Sequence, residues 1–226
     1  MLVPLTFLSP RGAVRRLDPH SPGSAAHGAL AGSLALAAAL HLGWAAEVDP
    51  LRHTLSDYAL HDGAAALFTA CAGSAAAGCG ALLAGLVRSR ATVGTGAPAA
   101  LAVGCAGLTL CALFPTDPVG RPSTASGLIH RYATGTALAA LPAAGLLLAR
   151  RLRARPAGRD IGRLAWASSA AALLFLGTHL SVRHPVTPAA WRAAGLLGLA
   201  ERVTLGLEFA LLFTMAGTLR GAGRPG

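Results

Sequence analysis

Six stretches of apolar and small residues alternate with short polar segments along the chain. They run Ala25–Ala46, Ala64–Val87, Ala97–Pro115, Tyr132–Ala149, Leu164–Val182 and Val203–Leu219. A helix that crosses a bilayer needs about 20 mostly apolar residues, and charge is almost absent from all six runs. A soluble core would break such runs with strand-length punctuation. The pattern therefore predicts an all-α fold, an integral membrane bundle of six transmembrane helices. The spans are rich in Ala and Gly: Gly28 and Gly32 fall four apart in the first, and Gly73, Ala77, Ala81 and Gly85 follow the same spacing in the second. Small residues let helix backbones touch in lipid, where no hydrophobic drive pulls helices together. They leave the oligomeric state open.

The connections differ in length and chemistry. Arg88–Gly96 and Arg150–Arg163 are short and basic, whereas Glu47–Gly63, Thr116–Arg131 and Arg183–Arg202 are longer and mixed. No hydrophilic stretch is long enough for a second domain. Residues 25–219 form the transmembrane domain, with a mobile cytoplasmic tail at 1–24 and a second tail at 220–226. The apolar start MLVPLTFL precedes the basic residues and is short, so it does not read as a signal peptide. In Glu47–Gly63, Asp49 followed by Pro50 is a good helix start, and Gly63 suits a stop. Leu51, Leu55 and Tyr58 would then share one face of a short amphipathic helix, on the outer side between spans one and two.

Charge fixes the orientation. All nineteen basic residues are Arg, and thirteen of them fall on the side of the chain ends and of the Arg88–Gly96 and Arg150–Arg163 connections. Arg52, Arg121, Arg131, Arg183, Arg192 and Arg202 fall on the other side, together with Glu47, Asp49, Asp57, Asp62, Asp117 and Glu201. This is the positive-inside pattern with both termini in the cytoplasm. The absence of Lys beside abundant Ala, Gly and Arg suggests a bacterium, hence its cytoplasmic membrane. A formal charge of +10 could signal nucleic acid. Here the Arg residues cluster at span ends, so membrane lipids are the expected partners and nucleic acid is not. Cys71, Cys79, Cys105 and Cys111 lie inside spans without metal or redox spacing and read as packing residues. No cofactor is expected.

Candidate chemistry gathers on the outer side. His53, Asp57 and His61 are four apart on one helical line, a spacing metals use, but a solvated polar face is the simpler reading. His130 opens the fourth span near the interface, where it could pair with Asp117 or Asp57, and would serve either as an acid or base or as a bridge tying the fourth span to the outer connection. Glu201 and Arg202 are adjacent, about 100° apart on a helix, so they are not expected to pair with each other, and each should find a partner on another helix or face water. Glu208 lies seven residues deeper on the face of Glu201 and should face the bundle interior or be protonated.

LSDYAL at 55–60, LFPTDP at 113–118 with GLIHR at 127–131, and the AER that enters the last span together resemble the bacterial membrane family called domain of unknown function 998. The resemblance covers the chain from first span to last. It implies six spans and no established activity, and it marks Ser56, Asp57, Asp117, His130, Glu201 and Arg202 for test. Ser126 and His130 also have the spacing seen in alkaline ceramidases and progestin/adiponectin-receptor-like hydrolases, which bind zinc with three histidines. That likeness fails further on: His179 and His184 are five apart rather than four, Pro185 follows, and the fourth span holds no acid.

The expected function is a multi-pass membrane protein with an outer polar pocket for a lipid headgroup or small anion. Arg52, Arg131 and Arg202 would meet the anion, and Asp57, Asp117 and Glu201 would orient them, with Ser56 and Glu208 as further binding residues. The alternative is an enzyme acting on a lipid-linked substrate, with His130 as acid/base beside Asp57 and Asp117. A transporter using Glu208 stands third, since no inverted repeat or interrupted span is evident. A topology reporter fused within Arg150–Arg163 should read out as cytoplasmic, and an external signal there would reverse the orientation.

Overall fold

The computed structural model describes residues 21–89, 94–118, 120–183 and 195–221. Arg11, Arg15, Arg16, Asp18, Arg90, His184, Pro185, Arg192, Arg224 and both expected tails, apart from 21–24 and 220–221, lie outside the described residues. The helices are α1 Pro22–Gly43, α2 Ala64–Arg88, α3 Gly96–Leu113, α4 Ala125–Arg151, α5 Pro156–Arg183 and α6 Leu197–Gly221. All six are long and apolar enough to cross a membrane, and no strand occurs among the described residues.

Capping residues, not the edges of the apolar runs, set the starts of α1 and α4. Ser21 accepts the Ser24 N–H at 3.1 Å, and Pro22 occupies the first turn, so α1 begins ahead of its run. Thr124 accepts the Gly127 N–H at 3.1 Å and starts α4 at Ala125, which places His130 inside the helix rather than at its edge. The outer connection holds the expected short helix in reduced form. It is a 3-10 helix from Leu55 to Leu60, with Thr54 and Asp57 making a reciprocal capping box. Asp49 starts a tight turn instead, its backbone carbonyl accepting from Arg52 and His53.

Successive helices pack side by side, and α6 closes the ring against α1 while also touching α2, α4 and α5. We call the end bearing Arg88, Arg150 and Arg151 inner and the opposite end outer. The main core joins Leu30, Leu82, Leu101, Leu141, Leu148, Ile161, Leu211 and Met215. A second cluster of Leu40, Val48, Tyr58, Phe68 and Cys71 packs the 3-10 helix over the outer ends of α1 and α2. Leu173 and Leu174 on α5 are 69% and 62% exposed, as expected for side chains that face acyl chains rather than water.

Small residues set the closest approaches, though not all at the positions the spacing suggested. Gly28 and Gly73 face open space. Gly107 on α3 lies against α4 so tightly that a Cβ would come within 2.8 Å of the Ala133 carbonyl oxygen and 3.0 Å of the Ala137 Cβ. Backbone cannot yield as a flexible side chain can. Gly107→Ala should therefore destabilise the bundle by about 1–3 kcal/mol. Gly73→Ala should be neutral or gain up to about 1 kcal/mol. Thermal unfolding of the two variants in detergent, followed by circular dichroism, checks the contrast.

Candidate functional site

The outer polar residues fall into two clusters. The first lies where the α1–α2 connection crosses the start of α6. Gly198 makes the approach possible, because a Cβ there would collide with the backbone carbonyls of His53 and Pro50. Leu199 N–H donates to the Leu51 carbonyl at 3.0 Å. One helical turn later, Glu201 and Arg202 hold the same connection by its main chain. Leu55 N–H donates to Glu201 Oε2 at 2.5 Å, and Arg202 Nη1 donates to the His53 carbonyl at 2.7 Å and to the Gly198 carbonyl at 3.1 Å. Arg202 Nε donates to His41 Nε2 at 2.8 Å. The His41 ring is fixed in turn by Nδ1, 2.7 Å from the Ala37 carbonyl, and by Tyr58, whose ring centroid is 5.3 Å away. These contacts assign the tautomer with hydrogen on Nδ1.

One expectation is corrected here. Glu201 and Arg202 do come together, at 3.8 Å, because both side chains fold over one stretch of loop backbone rather than projecting radially. His41, near the outer end of α1, is the nearest side-chain partner of Arg202. No local signal could reveal a contact between residues so far apart in the chain.

Asp57 caps its own 3-10 helix, accepting the Thr54 N–H at 2.7 Å. Ser56 Oγ lies 3.0 Å from Thr54 Oγ1. Arg52 is largely exposed and sits 3.5 Å from Asp49, a surface pair of small energetic weight. His53 Nδ1 accepts the Asp49 N–H at 3.0 Å. Asp57 and His53 are thus engaged separately. Among the described residues no group of three His, Cys, Asp or Glu side chains is placed to hold a metal ion.

The second cluster organises the α3–α4 turn. Asp117 accepts the Thr124 N–H at 2.8 Å and its hydroxyl at 2.7 Å, and Gly127 leaves room for the carboxylate. His130 is 5% exposed, with Nδ1 2.8 Å from the Phe114 carbonyl and its ring 6.1 Å from that of Phe68 on α2. It ties α4 to the end of α3 through a carbonyl rather than through Asp117 or Asp57, though both carboxylates lie within its electrostatic reach. Arg131 Nη2 donates to Ser123 Oγ at 3.2 Å. Glu208 stands apart from both clusters, 2% exposed and deep in the bundle.

Two grooves open on the flanks of the bundle. One of about 460 Å³ between α3 and α4 is lined by Val103, Gly107, Leu110, Leu128, Tyr132 and Thr136. Another of about 410 Å³ between α4 and α5 is lined by Leu146, Ala149, Arg150, Arg153, Gly162 and Trp166. Neither contains a residue from the predicted outer pocket.

A family model described as protein of unknown function (DUF998) matches residues 29–218. No curated protein and no solved structure matches the chain.

The Thr124 hydroxyl and N–H hold the Asp117 carboxyl below the usual aspartate range, with Arg131 and His130 adding to the effect. A carboxylate depressed in the folded protein stabilises above its ordinary pKa, and that contribution fades as pH falls through the lowered value. The thermal midpoint of the wild type should therefore drop on acidification below about pH 4 more steeply than that of Asp117→Asn. Parallel acid limbs would remove Asp117 from the account.

Proposed function

The chain belongs to the family described as protein of unknown function (DUF998), and on that premise we propose a multi-pass protein of the bacterial cytoplasmic membrane that binds an anionic headgroup at Arg202. Both termini are cytoplasmic in this reading, which the bias of Arg toward the inner connections supports.

Arg202 carries the proposal. Its guanidinium plane is held by three neutral acceptors: His41 Nε2 and the carbonyls of His53 and Gly198. None of these neutralises its charge. Glu201 is 3.8 Å away and accepts from Leu55 through the same oxygen, so the ion pair is loose. Nη2 is buried and has no hydrogen-bond partner among the described residues. A pre-oriented guanidinium with an unspent donor suits a phosphate or carboxylate oxygen.

Binding is favoured over catalysis by what the other candidates do. An acid–base mechanism at His130 would call on Asp57 and Asp117, yet both carboxylates support helix starts. Nδ1 of His130 is turned to the Phe114 carbonyl.

Native mass spectrometry from bilayers holding anionic and zwitterionic phospholipids tests the reading. The wild type should retain the anionic lipid. Arg202→Ala should weaken it about tenfold or more, since a hydrogen bond to a charged group is worth roughly 1.5–3 kcal/mol. Arg202→Lys should fall between, and displacement by inorganic phosphate would show that the phosphate alone is recognised. Equal retention of anionic lipid by Arg202→Ala and the wild type overturns the proposal.

A further inference from the structure

The buried stripe of α6 changes chemistry halfway along its length. From the outer end it reads Glu201, Thr204 and Glu208, then Leu211, Leu212, Met215 and Ala216, all 6% exposed or less. Steps of three and four residues keep these side chains on one face. The outer half of the stripe is polar and the inner half is apolar.

The depth of Glu208 follows from its neighbours. A Cβ on Gly145 of α4 would touch both Leu211 of α6 and Ala165 of α5, so these three residues share a level. One turn toward the outer end, the same faces carry Leu141, Glu208 and Ser168, which are 2%, 2% and 0% exposed. Glu208 Oε1 and Ser168 Oγ are both buried and have no hydrogen-bond partner among the described residues. Two buried polar side chains at a shared level, bonded neither to each other nor to another group among the described residues, mark a candidate site rather than a stray buried acid.

Among the described residues no charge balances Glu208 there. Cys79 of α2 lies within its electrostatic reach. On α1, His27 is deeper, against Phe213 at 5.4 Å. On α4, His130 is at the outer end, as is His179 on α5, beside Phe175. Asp57, Glu201 and Arg202 belong to the outer cluster. An intramembrane acid without a basic partner is expected to have a function.

We propose that Glu208 is a proton-binding site at the middle of the bundle, paired with Ser168 and reached from the outer end along Glu201 and Thr204. Loading moves one proton from outer water to the Glu208 carboxylate, giving a neutral acid whose O–H donates to Ser168 Oγ. Unloading returns the proton by the same route, with no change of oxidation state. The Thr204 hydroxyl donates to the Ala200 carbonyl at 2.8 Å, and its oxygen remains an acceptor between the two acids. Below Glu208 the apolar half of the stripe closes the inner side. The proton site is distinct from the headgroup site at Arg202, and either can fail without the other.

Infrared spectroscopy of the full chain in lipid bilayers, with the bath changed from H2O to D2O, tests the proposal. The expected result is a neutral carboxyl C=O band that is absent in Glu208→Gln and shifts on exchange. Thr204→Val should slow the shift about tenfold, equivalent to roughly 1.4 kcal/mol of barrier. If Glu208→Gln does not fold, Ser168→Ala serves instead: it moves the band where the two side chains meet and leaves it unmoved where they do not. A missing Glu208-dependent band, an unmoved band in Ser168→Ala, or exchange as fast in Thr204→Val as in the wild type each overturns the proposal.

Discussion

Two adjacent side chains on the last helix hold the main chain of the first long connection, and the architecture of the outer end depends on that grip. Glu201 takes the N–H of Leu55 while Arg202 takes the carbonyl of His53. The backbone groups they engage lie near the membrane boundary, where an unmet N–H or carbonyl is costly. The grip also closes the helix ring, because Arg202 reaches on to His41 of α1. Tyr58 then packs on His41 and roofs the outer ends of α1 and α2. Without this contact, the Asp49–Leu60 stretch would rely on its local turns, the Leu199–Leu51 hydrogen bond and the packing of Leu55, Tyr58 and Ala59 to hold it on the bundle.

The six spans were readable in the sequence because continuity of apolar residues is a local property, and lipid leaves a backbone few alternatives to a helix. Their ends were less readable. Thr124 starts α4 seven residues ahead of the apolar run, since a cap responds to hydrogen-bond geometry and not to hydropathy. Asp49-Pro50 has the chemistry of a helix start, yet Asp49 begins a turn. Leu51 spends its carbonyl on Leu199, a tertiary bond that competes with a local helix there.

The candidate site was legible as a list of residue types and not as a set of partners. Glu201, Arg202 and the 55–60 connection were recognisable, and they do meet. Radial projection from an ideal helix separated Glu201 from Arg202, whereas flexible side chains bend toward a common target. His130 bridges the fourth span to the end of the third, but through a carbonyl and not through an acid. The opposed carboxylates, Asp57 and Asp117, were already needed by their own helix starts. Competition for hydrogen bonds within a few residues decided these cases.

The close approach at Gly198 carries a further implication. The contacts that fasten the connection there use the carbonyls of Leu51 and His53 and the N–H of Leu55, not the side chains of those residues. The grip is therefore indifferent to much of the loop's own sequence, while Gly198, Glu201 and Arg202 are constrained by it. Loop residues whose side chains point outward, such as Arg52, are free to drift and to acquire new surface chemistry. The anchor that fixes the loop's path would remain unchanged beneath that variation.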